Sequence, residues 1–413
     1  MRVAIYWEQD SWGGVDTQLL ELLSTWPVPD DEFVLFYNRG NAGFDRISQE
    51  LEKLPYLRCV EVSSWSHIVL ARRLKTVPGS AVLRYVLYVT QPITFLVMVW
   101  RLSRLFSRTG RFDLLLADNG GYPGARGNLS ALLAAKRAGI GARVLLVHHE
   151  ATRPAPFMGW FERCVDQVVT TAASAVVCVS YATRQSLLES RALCAETLRI
   201  RVIHNGMCPA SSVHHPPPQA MALRQVLEAR DELLIAVVGR VEPYKGHEDV
   251  IFALARLDPD RRRRLRLVVI GAGDDDEVAR LRRLATRLLV DDRVSFVGYV
   301  PGRPVDLVAQ LDLLIVATRS FEGFGLTLLE AMHVGTPVLA TRVGAIPEFV
   351  DESTGRLVNP GAPQELATAL DDFVSHPEAW RGRAVSARER VGKIETSMAR
   401  EYRRLFVECI AAH

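Results

Sequence analysis

The chain has 413 residues, 48% of them hydrophobic and 23% charged, with a formal net charge of +3. That length and apolar content suffice for two or three domains with substantial cores, and so nearly neutral a balance gives no global reason to expect a nucleic-acid partner. The six Cys, at positions 59, 164, 178, 194, 208 and 409, form no Cys-x-x-Cys pair and argue for reduced core thiols in a cytoplasmic protein rather than a disulfide or zinc framework.

Short apolar runs alternate with helical patterns throughout, the sequence form of an α/β protein with parallel sheets covered by helices. The first run, Val3 to Trp7, starts almost at the N-terminus without the apolar core of a signal peptide before it. It leads into Gly13 and Gly14, which precede a helix start and either offer backbone N–H groups to phosphate or sugar oxygens or make a tight turn. Phe33 to Tyr37 is the next strand. Tyr85 to Trp100 is almost wholly apolar, broken at Gln91-Pro92, and falls short of the roughly 20 residues a spanning helix needs. Arg72, Arg73, Lys75 and Arg84 precede it, and Arg101, Arg104, Arg108 and Arg111 follow. Two readings stand: a buried helix with basic ends, or peripheral contact of the 72–111 region with an anionic membrane at its cytoplasmic face.

Strands are predicted over Leu114 to Ala117, Arg143 to Val147, Ala175 to Val179 and Arg201 to Ile203. The fourth of these first-half runs, Arg143 to Val147, runs into His148-His149-Glu150, polar residues at a strand's carboxyl end, where doubly wound folds keep their chemistry. Met207 to Pro218 reads as a linker by composition. No His-Glu-x-x-His helix occurs, and His204, His214 and His215 lie in or beside that linker, which disfavours zinc.

The second half repeats the alternation with Leu233 to Val238, Leu267 to Ile270, Arg293 to Phe296, Leu313 to Val316, Pro337 to Ala340 and Gly355 to Val358. Two doubly wound domains follow, 1–205 and 223–390, joined by a 206–222 linker and trailed by a helical segment at 391–413. After Leu233 to Val238, the loop Gly239-Arg240-Val-Glu-Pro-Tyr-Lys245-Gly246 carries a guanidinium and an ammonium suited to clamping a diphosphate. Leu267 to Ile270 ends in Gly271-Ala-Gly-Asp-Asp-Asp-Glu277, where the acids suit either helix capping or a divalent metal. Asp276 stands where a dinucleotide fingerprint needs its third glycine.

The most informative stretch is Ser320-Phe-Glu-Gly-Phe-Gly-Leu-Thr-Leu-Leu-Glu330, running on to Gly335-Thr-Pro-Val338. It sets Glu322 before a Gly-rich turn, Gly323-Phe324-Gly325, and Glu330 inside the helix that starts near Leu326. Amides at that helix start can take an anion, with a carboxylate at the helix mouth and another roughly 8–12 Å deeper. The spacing suits the two hydroxyl-rich ends of a nucleotide-sugar with its diphosphate between them.

This segment resembles the signature of glycosyltransferase family 4, retaining nucleotide-sugar enzymes of the GT-B fold, in which seven residues separate two Glu. The resemblance implies two Rossmann-like domains facing across a cleft, the first binding acceptor, with the C-terminal helix crossing back to the first. It places Arg240 and Lys245 on the diphosphate, Glu322 on the donor sugar, Glu330 on the ribose, and Gly298 and Tyr299 beside the base. Gly13 and Gly14 would face the donor, and alignment on a His-acid pair picks His149, with His148 on the opposite strand face. Thr318-Arg319 replaces the family's frequent Pro-Ser, and Cys208 its frequent Asp, so donor contacts at Arg319 are open to change.

The expected activity is retaining transfer of a sugar from a nucleoside diphosphate to a glycan, lipid-linked or small-molecule acceptor, by front-face displacement. No cofactor is expected, and no metal, because Arg, Lys and a helix terminus supply the positive potential. A sugar-nucleotide epimerase or phosphorylase on the same scaffold, or a non-catalytic nucleotide-sugar or glycan binder, is the alternative.

Overall fold

The computed structural model describes the chain except residues 10–12, 63–69, 72, 75–76, 78, 192, 194–197, 207–222, 228–230 and 393–397. The proposed linker beyond Gly206, together with Arg72, Lys75, Cys194, Cys208, His214 and His215, lies outside the described residues. The chain divides into two compact units, Met1–Gly206 with Ser397–His413, and Met207–Thr396.

Unit 1 holds a seven-stranded parallel sheet of β1 (Arg2–Trp7), β2 (Glu32–Asn38), β3 (Leu57–Val62), β4 (Leu114–Asn119), β5 (Ala142–Val147), β6 (Ala175–Cys178) and β7 (Ile200–Val202), in the order β3-β2-β1-β4-β5-β6-β7. Val3 pairs with Leu114 on one side and Phe33 on the other. β4 and β5 are buried at every position, as expected of central parallel strands covered on both faces, and their Leu/Val runs are what made them visible in sequence. β3 was not anticipated. It is an edge strand, Leu-Arg-Cys-Val-Glu-Val, mostly half-exposed, and it lacks the continuous apolar run of its neighbours.

The apolar run near Tyr85 becomes two helices, Ala81–Val89 and Gln91–Thr109, bent by 60° where Pro92 starts the second. The second helix sends Phe95, Val99, Leu102 and Phe106 into the unit 1 core. Among the described residues no single helix is long and apolar enough to cross a membrane.

The last helix, Met398–Ala411, belongs to unit 1. Phe406 packs on Trp26 with centroids 5.7 Å apart, Arg403 pairs with the buried Asp31 at 3.2 Å, and the Met398 sulfur takes the Gly206 amide at 3.0 Å. Cys178 and Cys409 are core residues as expected. Cys164 is a correction, because it faces outward from the helix Gly159–Ala172.

Unit 2 holds β8 (Leu233–Val238), β9 (Leu265–Ile270), β10 (Val294–Gly298), β11 (Leu313–Val316), β12 (Val338–Thr341) and β13 (Arg356–Val358), all parallel, in the order β10-β9-β8-β11-β12-β13. The strands coincide with the sequence-predicted runs to within two residues, most clearly at β8 and β11, which are unbroken Leu, Ile, Val and Ala runs. Trp380, fully buried, stacks edge-on to Phe373 and donates its indole N–H to Asp372 at 2.9 Å.

Candidate active site

In each sheet the strand order reverses once, and ligands of open α/β sheets bind beyond the carboxyl ends of the strands at that reversal. In unit 2 it falls between β8 and β11. The loop after β8 carries Arg240 and Lys245; the loop after β11 carries Glu322. Adjacent strands therefore bring together residues 77 positions apart: Lys245 Nζ lies 2.8 Å from Glu322 Oε2, both side chains largely buried.

The surroundings hold this pair in place. Thr318, fully buried, donates its hydroxyl to the same Glu322 oxygen at 3.2 Å, and the Arg319 amide donates to the Tyr244 carbonyl at 2.7 Å, tying the two loops together. The Ala345 amide, after β12, donates to the Glu322 carbonyl at 2.8 Å. Gly344 approaches so closely, at φ +52°, that a Cβ there would lie 2.1 Å from that carbonyl oxygen, so this turn requires glycine. Burial works against the Lys245 ammonium, but the Glu322 carboxylate and Tyr244 together outweigh it, and the amine is held above its ordinary pKa.

Gly325, at φ +83°, is the N-cap of the helix Leu326–Val334, and no side chain caps that helix. Gly323 and Phe324 are buried, Phe324 against Phe349 at 5.0 Å, while Leu326 and Glu330 are half-buried. Arg240 is exposed, donating to Glu242 at 2.9 Å and reaching the Tyr244 hydroxyl at 3.5 Å. Gly298, the last residue of β10, and Tyr299 after it stand exposed next to the β9 loop, where the Gly271 amide donates to the Gly298 carbonyl at 2.8 Å. Asp274 caps the helix Asp275–Arg287 by accepting from the Asp276 amide at 2.9 Å. Among the described residues no three His, Cys, Asp or Glu side chains are grouped to hold a metal ion.

Arg319, expected to alter donor contacts, is committed elsewhere. Its guanidinium grips the buried Asp249 through both oxygens at 2.6 Å and Glu248 at 2.6 Å; Glu248 in turn takes Arg280 at 2.6 Å. Those hydrogen bonds, Asp249 first, raise its pKa above even the usual arginine value. Sequence reasoning missed this network because Glu248 and Asp249 open a helix, where acids are already accounted for by the helix dipole.

In unit 1 the reversal lies between β1 and β4. After β1, Gly13 is the N-cap of the helix Gly14–Ser24, and its amide donates to the buried Asp16 at 2.5 Å. Next to β4, His148 is buried with Nε2 2.8 Å from Asp118 Oδ1, and His149 is half-buried with its amide on the Gly120 carbonyl at 3.0 Å. β5 ends at Val147, and one residue on the His148 side chain reaches Asp118 of the neighbouring β4, whose register partner in β5 is Leu146.

Residues 221–392 match the family model described as glycosyl transferases group 1. The D-inositol 3-phosphate glycosyltransferase of Corynebacterium efficiens is 41% identical over 149 residues, 34% of this chain and 35% of that protein. Its counterpart from Kribbella flavida is 34% identical over 217 residues, 50% of this chain and 48% of that one. The chain thus spans between a third and a half of the length of these curated relatives. Among solved structures, Anabaena HepE in complex with UDP-glucose superposes with a TM-score of 0.73 at 20% identity, covering 100% of both chains. A Rickettsia africae glycosyltransferase gives 0.75 at 18%, covering 99% of this chain and 98% of the other. The two parallel-sheet units match the GT-B architecture of these glycosyltransferases.

Proposed function

We propose that this protein is a retaining glycosyltransferase of family 4 that moves a sugar from a nucleoside diphosphate to a hydroxyl of a glycan, lipid-linked or small-molecule acceptor. The observation that carries the reading is the Lys245–Glu322 pair, 2.8 Å apart at the strand reversal of a unit matched by a glycosyltransferase family model, on the loop that opens the Leu326–Val334 helix. An ammonium beside an uncapped helix start suits a diphosphate, and a carboxylate beside both suits the sugar it carries.

When the diphosphate arrives it takes the Lys245 ammonium from Glu322, whose carboxylate then accepts hydrogen bonds from the donor-sugar hydroxyls. Arg240 gives up Glu242 for the second phosphate, and Glu330 accepts from the ribose. Gly298 and Tyr299 border the base. Gly323, Phe324, Gly325 and Leu326 form the phosphate-facing turn. The acceptor oxygen attacks the anomeric carbon on the face the diphosphate leaves. The breaking C–O bond's electron pair departs with the phosphate oxygen, which takes the acceptor's proton, and the cations stabilise the charge that builds there. No metal takes part, so EDTA leaves the rate unchanged.

The test is a thermal-shift panel of UDP-, GDP- and ADP-sugars, starting with UDP-glucose, which the structural neighbour HepE binds. The best binder is then assayed for turnover with acceptors including D-inositol 3-phosphate, the substrate in the matched relatives' names. A shift with one donor family, and turnover abolished by Glu322→Gln, is expected; no shift with any nucleotide-sugar overturns the proposal.

A further inference from the structure

The helix Gln91–Thr109 is apolar on two opposite faces, and the core uses only one of them. Phe95, Val99, Leu102 and Phe106 point inward. On the far side Ile93, Leu96 and Trp100, spaced three and four residues apart, form a stripe left open, with Ile93 64% and Leu96 63% exposed. The preceding helix Ala81–Val89 has no buried residue at all, and Val82 and Tyr85 are 74% and 66% exposed. Trp160, also exposed, flanks this surface: its ring lies 5.9 Å from Phe161, which meets Phe95 at 5.8 Å. Scattered exposed apolar residues need no explanation, but a contiguous apolar surface on two consecutive helices marks an interaction site.

Charge identifies the partner. Between Glu61 and Asp113 the sequence contains no Asp or Glu. Continuing the open stripe at four-residue steps, Leu96 and Trp100 give way to Arg104 and Arg108, all exposed, and the Arg104 guanidinium lies over the Trp100 ring at 3.9 Å from its centroid. Arg84 and Arg101 are exposed as well. Aliphatic and Trp side chains running into arginines, with no acid among them, are the composition of a surface that lies in the interface of an anionic bilayer. A symmetric contact between two copies would set arginine against arginine, which disfavours self-association through this face. Neither helix alone has the length and composition to span a bilayer; the two reach them only together, across a 60° bend.

We propose that the helices Ala81–Val89 and Gln91–Thr109 dock unit 1 onto an anionic lipid bilayer, burying the Ile93, Leu96 and Trp100 stripe among the acyl chains with Arg104 and Arg108 on the head groups. This is independent of the transfer chemistry proposed for unit 2. The test is co-sedimentation of the full chain with phosphatidylcholine vesicles and with vesicles half phosphatidylglycerol. The chain sediments with the anionic vesicles only, and less so in 0.5 M salt than in 0.1 M, at the roughly 2-fold shorter screening length. R104S/R108S weakens binding about 30-fold, at the usual contribution of a cation near an anionic surface. L96S/W100S abolishes binding while thermal melting is unchanged, because both side chains face outward. Three results overturn the proposal: no sedimentation with either vesicle, equal sedimentation with both, or a dimer on size exclusion that L96S/W100S dissolves while vesicles bind nothing.

Discussion

Two substitutions at the Lys245–Glu322 pair should have opposite effects on nucleotide binding. At 2.8 Å and an effective dielectric constant of about 20, the gross attraction is about 6 kcal/mol, much of it offset by the desolvation of two largely buried charges. Without donor, Glu322 is the group that neutralises Lys245, so any diphosphate must displace it. Lys245→Met keeps the length and removes the charge. Losing hydrogen bonds to a charged phosphate costs about 1.5–3 kcal/mol, a 10- to 150-fold rise in Kd. Glu322→Gln keeps the shape and frees the ammonium from its competitor, so the same nucleoside diphosphate binds as well as or better than to the wild type, by up to about 5-fold if about 1 kcal/mol of the pairing survives desolvation. Turnover is lost in both. Isothermal titration with whichever of UDP, GDP and ADP binds best reads both values directly. If Glu322→Gln weakens the nucleotide as much as Lys245→Met, the carboxylate is not competing for that ammonium and the exchange step is wrong.

Arg319→Ala leaves Asp249, only 3% exposed at its side chain, without the cation that grips both its oxygens, and should cost about 3–5 kcal/mol in denaturant unfolding of unit 2; a loss below 1 kcal/mol would contradict the network's role. His247, buried beside the Lys245 ammonium, has its pKa pushed down to about 4, burial being the larger cause. Its folded pKa lies below the unfolded value of about 6.5, so the neutral ring's contribution is complete above that value and is lost as pH falls from about 6.5 to 4. Urea titrations across that window should show about 3 kcal/mol more acid destabilisation for the wild type than for His247→Asn, and identical slopes would rule this out.

Sequence carried the strands well where both faces are buried, because β8 and β11 are unbroken Leu, Ile, Val and Ala blocks with turn residues at their ends. The edge strand β3 stayed hidden, since Arg58 and Glu61 interrupt it and only Val62 is fully buried. The residue types and register of Arg240, Lys245, Glu322 and Glu330 were visible one motif at a time. That Lys245 touches Glu322 was not, because their adjacency comes from β11 pairing with β8 rather than with β10, a topological fact with no local signature. Arg319 misled for a related reason: its partners lie 70 residues away, so its chemistry could be judged only as a departure from a pattern.

Because the helix Met398–Ala411 completes unit 1, that unit is assembled from both ends of the chain. At a synthesis rate of about 5–20 residues per second, the intervening stretch of about 190 residues takes about 10–40 s to emerge. Throughout that interval Trp26 and Asp31 wait on the ribosome without Phe406 and Arg403, and the second unit is free to fold first.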